Sequence, residues 1–197
     1  KKLIKINTFE KLAKDKLVLE FILIIFPELK NIKIFSKLSS NQKKILIEKD
    51  FIFLISLMII DEGDNVDYFL YKYNISKKNQ KRIKNIDTFY KEKINSKTFT
   101  ENNMNKVFYY YGKEAVIDIL NHRMIKLKKE DSSLKELIKY YENRQAPIMP
   151  VNADLLINKY EIPEGKHLGE KLRQIEEVWV KNNFKISEQE VDSIVNC

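Results

Sequence analysis

The sequence predicts an all-α fold, with a helical body over 1–145, a small helical tail over 146–197 and no substantial sheet. Three observations carry this. Apolar residues recur at three- and four-residue steps through most of the chain. Strict alternation is absent over any useful length. Four glycines in 197 residues are too few for a turn-rich β fold. With 44% hydrophobic residues, the chain can bury a core as one large or two small domains.

Taken in order, the segment to Phe26 reads as one or two helices stopped by Pro27. Pro27-Glu28 then opens the next helix, since proline is tolerated at the first helical position. Asn41 to Ile60 reads as one helical stretch whose apolar end, Phe51 to Ile60, is buried. Asp61-Glu62-Gly63-Asp64-Asn65-Val66-Asp67 brings four carboxylates close together. The spacing does not match a calcium loop. Gly63 ending one helix and Asp64 capping the next is the simpler account.

Asp64 to Tyr73 is a short amphipathic helix. Ser76 then caps a basic helix with Lys77, Lys78, Lys81, Arg82 and Lys84 on one side and Ile83, Ile86 and Tyr90 on the buried side. Like charges four residues apart, and cations near a helix N-terminus, both disfavour a helix. Two accounts stay open: a phosphate-binding track, where neutralised phosphates offset the repulsion, and a solvated lysine face. Residues 91–100 are polar and read as a loop. Thr100 caps a helix ending at Gly112 that carries Tyr109, Tyr110 and Tyr111. Three tyrosines could stack on bases, but adjacent residues face different ways, so core packing is expected for most. Lys113 to Lys129 is a further helix with His122, Arg123, Lys126, Lys128 and Lys129. His122 has no nucleophile or carboxylate constellation with it and reads as a surface or core histidine. Asp131 caps the helix reaching Tyr141.

The tail begins with a short helix after Asn152, a good N-cap, ending near Tyr160. Ile162-Pro163-Glu164-Gly165 makes a turn. A longer helix follows, with Leu168, Leu172, Ile175 and Trp179 on one face. Gly165 and Gly169 flank its first turn, where unused N–H groups and the positive dipole end point outward, and Lys166 and His167 sit at the same point. A phosphate would be held well there. The alternative is a packed helical hairpin in which Gly169 lets another element come close. Ser187-x-x-Glu190 is a capping box for the last helix.

The formal net charge of +8 favours a polyanionic partner. A bias toward Lys, Asn, Ile, Tyr and Phe, of the kind AT-rich coding produces, contributes to the same number, so charge placement carries more than the total. The single cysteine, Cys197, excludes an internal disulfide framework and suits a reducing, cytoplasmic setting. No apolar run approaches the roughly 18 residues of a membrane span.

The order Pro147-x-x-Pro150, Leu155, Ile162-Pro163-Glu164-Gly165, Leu168-Gly169-x-x-Leu172 and Trp179-Val180 resembles the C-terminal end of bacterial tRNA nucleotidyltransferases, the CCA-adding enzymes and the related poly(A) polymerases. Ile25-Phe26-Pro27-Glu28-Leu29 is similar to the segment after that family's neck, and Phe108-Tyr109-Tyr110-Tyr111-Gly112 to the start of a later body helix. At the start the chain departs from the pattern. The family's Glu-Arg-Ile is at best Glu10-Lys11-Leu12 here.

The resemblance implies a body and tail that hold the acceptor–TΨC half of tRNA while a head adds nucleotides using Mg²⁺ with CTP or ATP. The head's Gly-Ser or Gly-Gly turn followed by Asp-x-Asp does not occur in this chain, and the expected place of the neck motif lies before residue 1. There is no P-loop, zinc spacing or nucleophile elbow. The expectation is therefore an RNA-binding piece with no catalytic residue, metal site or cofactor of its own, inactive alone. Its partners would be tRNA or other structured RNA and an N-terminal catalytic head, with no membrane. The tail turn, which the resemblance also supplies, nominates Gly165, Lys166, His167 and Gly169, and charge placement then nominates Lys77, Lys81 and Arg82, followed by Arg123 and Lys126, as RNA contacts. A helix–hairpin–helix binder of duplex DNA and a helical protein-interaction scaffold are the alternatives.

Overall fold

The computed structural model describes residues 6–92, 99–127 and 131–196. Lys128, Lys129, Cys197 and most of the polar 91–100 stretch lie outside them. Among the described residues all regular secondary structure is helical, with twelve α-helices, one 3-10 helix and no strand.

α1 (Ile6–Lys14) and α2 (Lys16–Ile25) are separated by Asp15, whose carboxylate accepts from the N–H groups of Leu17 and Val18. α2 is nearly all apolar, yet its outer face leaves Leu17, Phe21 and Ile24 exposed. Pro27 does not open an α-helix. A turn follows it and then a 3-10 helix, Ile32–Lys37. The cause lies 37 residues away. Asn65, buried, donates to the carbonyl of Glu28 at 2.7 Å, and Lys72 holds the buried Glu28 carboxylate at 2.6 Å. Long-range bonds to one residue override the local helix signal.

The expected helix from Asn41 to Ile60 is two: α3 (Ser40–Ile47) and α4 (Phe51–Ile59). The break is at Asp50, which accepts from the N–H of Phe53 at 3.0 Å and restarts the chain as an N-cap. α4 is apolar on every side and sits at the centre; every residue from Phe53 to Ile59 is buried. Around it lie the 3-10 helix, α5 (Asn65–Lys72) and α6 (Lys77–Lys91). Asp64 and Ser76 hold the N-cap positions of α5 and α6, but neither makes a side-chain capping bond. Asp61 is instead paired with Lys30 at 2.8 Å and accepts from the N–H of Gly63.

α7 (Glu101–Tyr111), α8 (Lys113–Lys126) and α9 (Ser132–Asn143) complete the first layer, with Gly112 at φ 87° turning α7 into α8. Thr100 and Asp131 cap α7 and α9 as the sequence predicts. Gln42 ties α3 to the end of α8. Its amide donates to the carbonyls of Met124, Ile125 and Leu127, filling acceptors the helix end leaves open.

α10 (Ala153–Tyr160), α11 (Lys166–Lys181) and α12 (Glu188–Val195) gather round a second apolar cluster of Val151, Leu156, Ile162, Leu168, Ile175 and Val191. Asn152 caps α10 and the Ser187–Glu190 capping box opens α12. The two clusters meet at a seam of aromatic and amide groups. Tyr109 lies 5.3 Å from Trp179 and donates to Glu176 at 2.6 Å. Asn105, fully buried, donates to Asn183 at 2.8 Å and accepts from Tyr141 and Arg144. The Arg144 guanidinium then covers the Phe184 ring at 5.0 Å. Asn183 and Phe184 both hold positive φ, 55° and 64°, an uncommon conformation for an aromatic residue. The Trp179 ring, 5.0 Å away, and Arg144 fix Phe184 there.

Candidate nucleic-acid interface

The nominated residues fall into three groups. The first is the turn that opens α11. Gly165, Lys166, His167 and Gly169 are all exposed. Gly165 takes φ 144° and ψ −165°, a combination essentially confined to glycine. The first bond of the helix runs from the N–H of Gly169 to the carbonyl of Gly165 at 3.2 Å. The N–H groups of Lys166, His167 and Leu168 therefore precede the intrahelical ladder. A side-chain carbon built on Gly165 or Gly169 would meet nothing within 4 Å. Gly169 is thus no close-packing device, and the space over the turn is open. Lys166 is 92% exposed, and its i,i+4 partner Glu170 stands 3.7 Å away. A pair this solvated leaves the ammonium accessible.

The second group lies on the first half of α6, where neighbours have different fates. Lys77, Lys78 and Lys81 are exposed and, among the described residues, make no ion pair. Lys84 is paired with Asp67 at 3.2 Å. Arg82, one residue past Lys81, points inward and is only 14% exposed. Its Nε and Nη2 donate to the two carboxylate oxygens of Asp118 at 2.6 and 3.1 Å, and its Nη1 to Asp50 at 2.5 Å. Glu114 is 3.5 Å away. Burial raises the Asp118 carboxyl above the usual range, with Arg82 opposing. Against its own burial, Asp118 and Asp50 hold the guanidinium protonated more firmly than usual. Arg82 is a tie between α4, α6 and α8, with each of its three nitrogens held by a carboxylate and the side chain turned inward.

The third group is at the last turn of α8. The Arg123 guanidinium lies 5.1 Å from the Phe99 ring, and the Lys126 ammonium 4.6 Å from the Tyr90 ring. Burial lowers the Lys126 ammonium below its ordinary range. Tyr90 is thirteen residues along α6 from Lys77, about 20 Å at helical rise. These cations therefore sit at the opposite end of α6 from the free lysines.

His122 is fully buried. Its Nε2 lies 3.5 Å from the carbonyl of Ser56, and its Nδ1 has no partner. Burial, with Lys126 adding to it, holds the ring down to about 3, so it stays neutral. Of the three tyrosines, Tyr109 belongs to the seam, whereas Tyr110 and Tyr111 are each 49% exposed. Among the described residues no three His, Cys, Asp or Glu side chains gather as a metal site, and no helix is long and apolar enough to cross a membrane.

Sequence reasoning missed the polar side chains that continue the lysine face of α6. Asn85 and Thr88 follow Lys77 and Lys81 at helical spacing, a signal that lies in the periodicity and not in the charge pattern.

A family model described as tRNA nucleotidyltransferase domain 2 matches residues 41–193. No curated protein and no solved structure matches the chain.

Proposed function

The chain belongs to the tRNA nucleotidyltransferase domain 2 family, and from that membership we propose that it holds tRNA for a nucleotide-adding head. The family ties the chain to tRNA processing; the grip and its geometry are our reading. The proposed mechanism is recognition of A-form shape through phosphates and 2′-hydroxyls rather than base sequence. One phosphate sits on the open N-terminal turn of α11, against the free N–H groups and Lys166. Others lie along Lys77 and Lys81. Arg82 is left out of the contact set because it is largely buried and committed to Asp118 and Asp50. Arg123 and Lys126 form a lesser edge, since rings cover part of each.

The observation that carries this is the exposed, unobstructed turn between Gly165 and Gly169. Mg²⁺ and CTP or ATP are assigned to the head, in the cytoplasm. Whether the parent adds CCA, part of it, or a poly(A) tail belongs to the head as well.

Competition between tRNA and duplex DNA over a salt series tests the proposal. We expect tRNA to win at every salt concentration. Log affinity should fall linearly with log salt, and Lys166→Ala should flatten that slope by about one phosphate contact. Equal affinity for duplex DNA would favour the helix–hairpin–helix reading. No salt-dependent RNA binding would leave a protein-interaction scaffold.

A further inference from the structure

We infer that the cleft between α6 and α7 takes an unpaired nucleobase of the bound RNA. This deepens the reading above and rests on it. The cleft measures ≈ 290 Å³, at the small end of ligand pockets, which run from about 300 to 1,000 Å³. One heterocycle with its sugar suits that volume; two do not. The floor is apolar, with Phe89 and Val107 buried beneath it. Tyr110 and Tyr111 line the cleft with half of each side chain open to solvent, which leaves aromatic surface for stacking. Asn85 and Thr88 on the α6 wall supply an amide and a hydroxyl, groups that both donate and accept and so match the edge of a base. Lys106 provides a cation for the attached phosphate.

The register of α6 is a second, independent observation. Lys77, Lys81, Asn85 and Thr88 follow one another at four, four and three residues, so they form one stripe along the helix. Lys81 and Asn85 are about 6 Å apart along the axis. The free lysines therefore lead straight to the cleft, and a strand whose phosphates track them brings a base to its mouth. The chemistry excludes the simpler occupants. A bare phosphate would find one lysine opposed by the Glu92 carboxylate, which also lines the cleft, and an acyl chain would bury the amide of Asn85 without a partner. A planar heterocycle meets both the rings and the polar wall.

The test uses the whole chain and two RNA hairpins, one fully paired and one with a single unpaired 2-aminopurine. We expect the unpaired hairpin to bind more tightly and its fluorescence to be quenched on binding. In Tyr110→Ala/Tyr111→Ala the affinity for that hairpin should fall roughly 5- to 150-fold, the range for losing one base–aromatic stack, and quenching should vanish. Binding of the paired hairpin should be unchanged, and Tyr110→Phe/Tyr111→Phe should behave as wild type. Should the alanine pair fail to fold, Thr88→Met, exposed on the other wall, fills the cleft and should abolish the preference too. Equal affinity for the two hairpins, or quenching that survives in the variants, overturns the cleft assignment while leaving tRNA binding intact. If neither hairpin binds, the RNA-holding function falls. The cleft is then judged with adenosine 5′-monophosphate: a shifted Asn85 side-chain amide resonance upholds it, and an unmoved one overturns it.

Discussion

His122 shows what one buried side chain does to the whole stability curve. Its ring titrates at about 3 in the folded chain against an ordinary 6.5. Between those values the unfolded chain binds a proton that the folded chain refuses. Stability contributed by the neutral ring is therefore intact above about 6.5 and drains as pH falls toward 3, by about 1.4 kcal/mol per pH unit. Urea unfolding of wild type and His122→Leu separates the effect of this ring from that of the carboxylates. Between pH 6.5 and pH 5 wild type should lose about 1.7 kcal/mol more than the variant, because the unfolded ring is half protonated at the start of that interval; equal losses would mean the ring is not excluded from protons. The sequence leaves His122 open between a surface and a core position. The choice is made by Phe53 and Ser56 of α4, some 66 residues away, and periodicity within α8 carries no trace of them.

At the scale of the helix, α6 separates an exposed lysine face from a buried ion-pair tie by a rotation of one residue. Lys81 faces water and Arg82, about 100° further round, faces Asp118 and Asp50. Arg82→Ala leaves the buried Asp118 carboxylate without its partner and should cost about 3–5 kcal/mol. Lys81→Ala should change stability by no more than about 0.5 kcal/mol while weakening tRNA binding. Chemical denaturation beside a binding titration reads both, and the reverse pattern would remove Lys81 from the interface. The boundaries of α7 and α9 to α12 were legible because Thr100, Asp131, Asn152, Gly165 and Ser187 each act on their own neighbours. The break at Asp50 and the lost helix after Pro27 were not. Asp50 caps locally, but an apolar run continued past it, and Glu28 is claimed by Asn65 and Lys72 from another part of the chain.

For the molecule as a whole, the seam between the two apolar clusters decides whether the lysines of α6 and the turn of α11 act together. Arg144 both donates to Asn105 and covers Phe184. Arg144→Ala should lower stability by about 1.5–3 kcal/mol, the range for a hydrogen bond to a charged group. It should also split a single calorimetric transition into two, with the residues around α10 to α12 melting first. A variant that still melts in one step would show that the apolar contacts alone couple the clusters. The aromatic residues of the seam were visible in the sequence, whereas the pairing of Asn105 with Asn183 was not, because two amides so distant share no pattern.

That same bond has a temporal side. Its two ends are 78 residues apart. A ribosome adding about 5–20 residues per second exposes Asn105 on the order of 4–16 s before its partner emerges. During that wait the carboxamide and the nearby Tyr109 ring have no tail to close over them. Nascent chains stalled short of Trp179 are therefore where this protein would recruit a chaperone or aggregate, long after most of its helices have already been made.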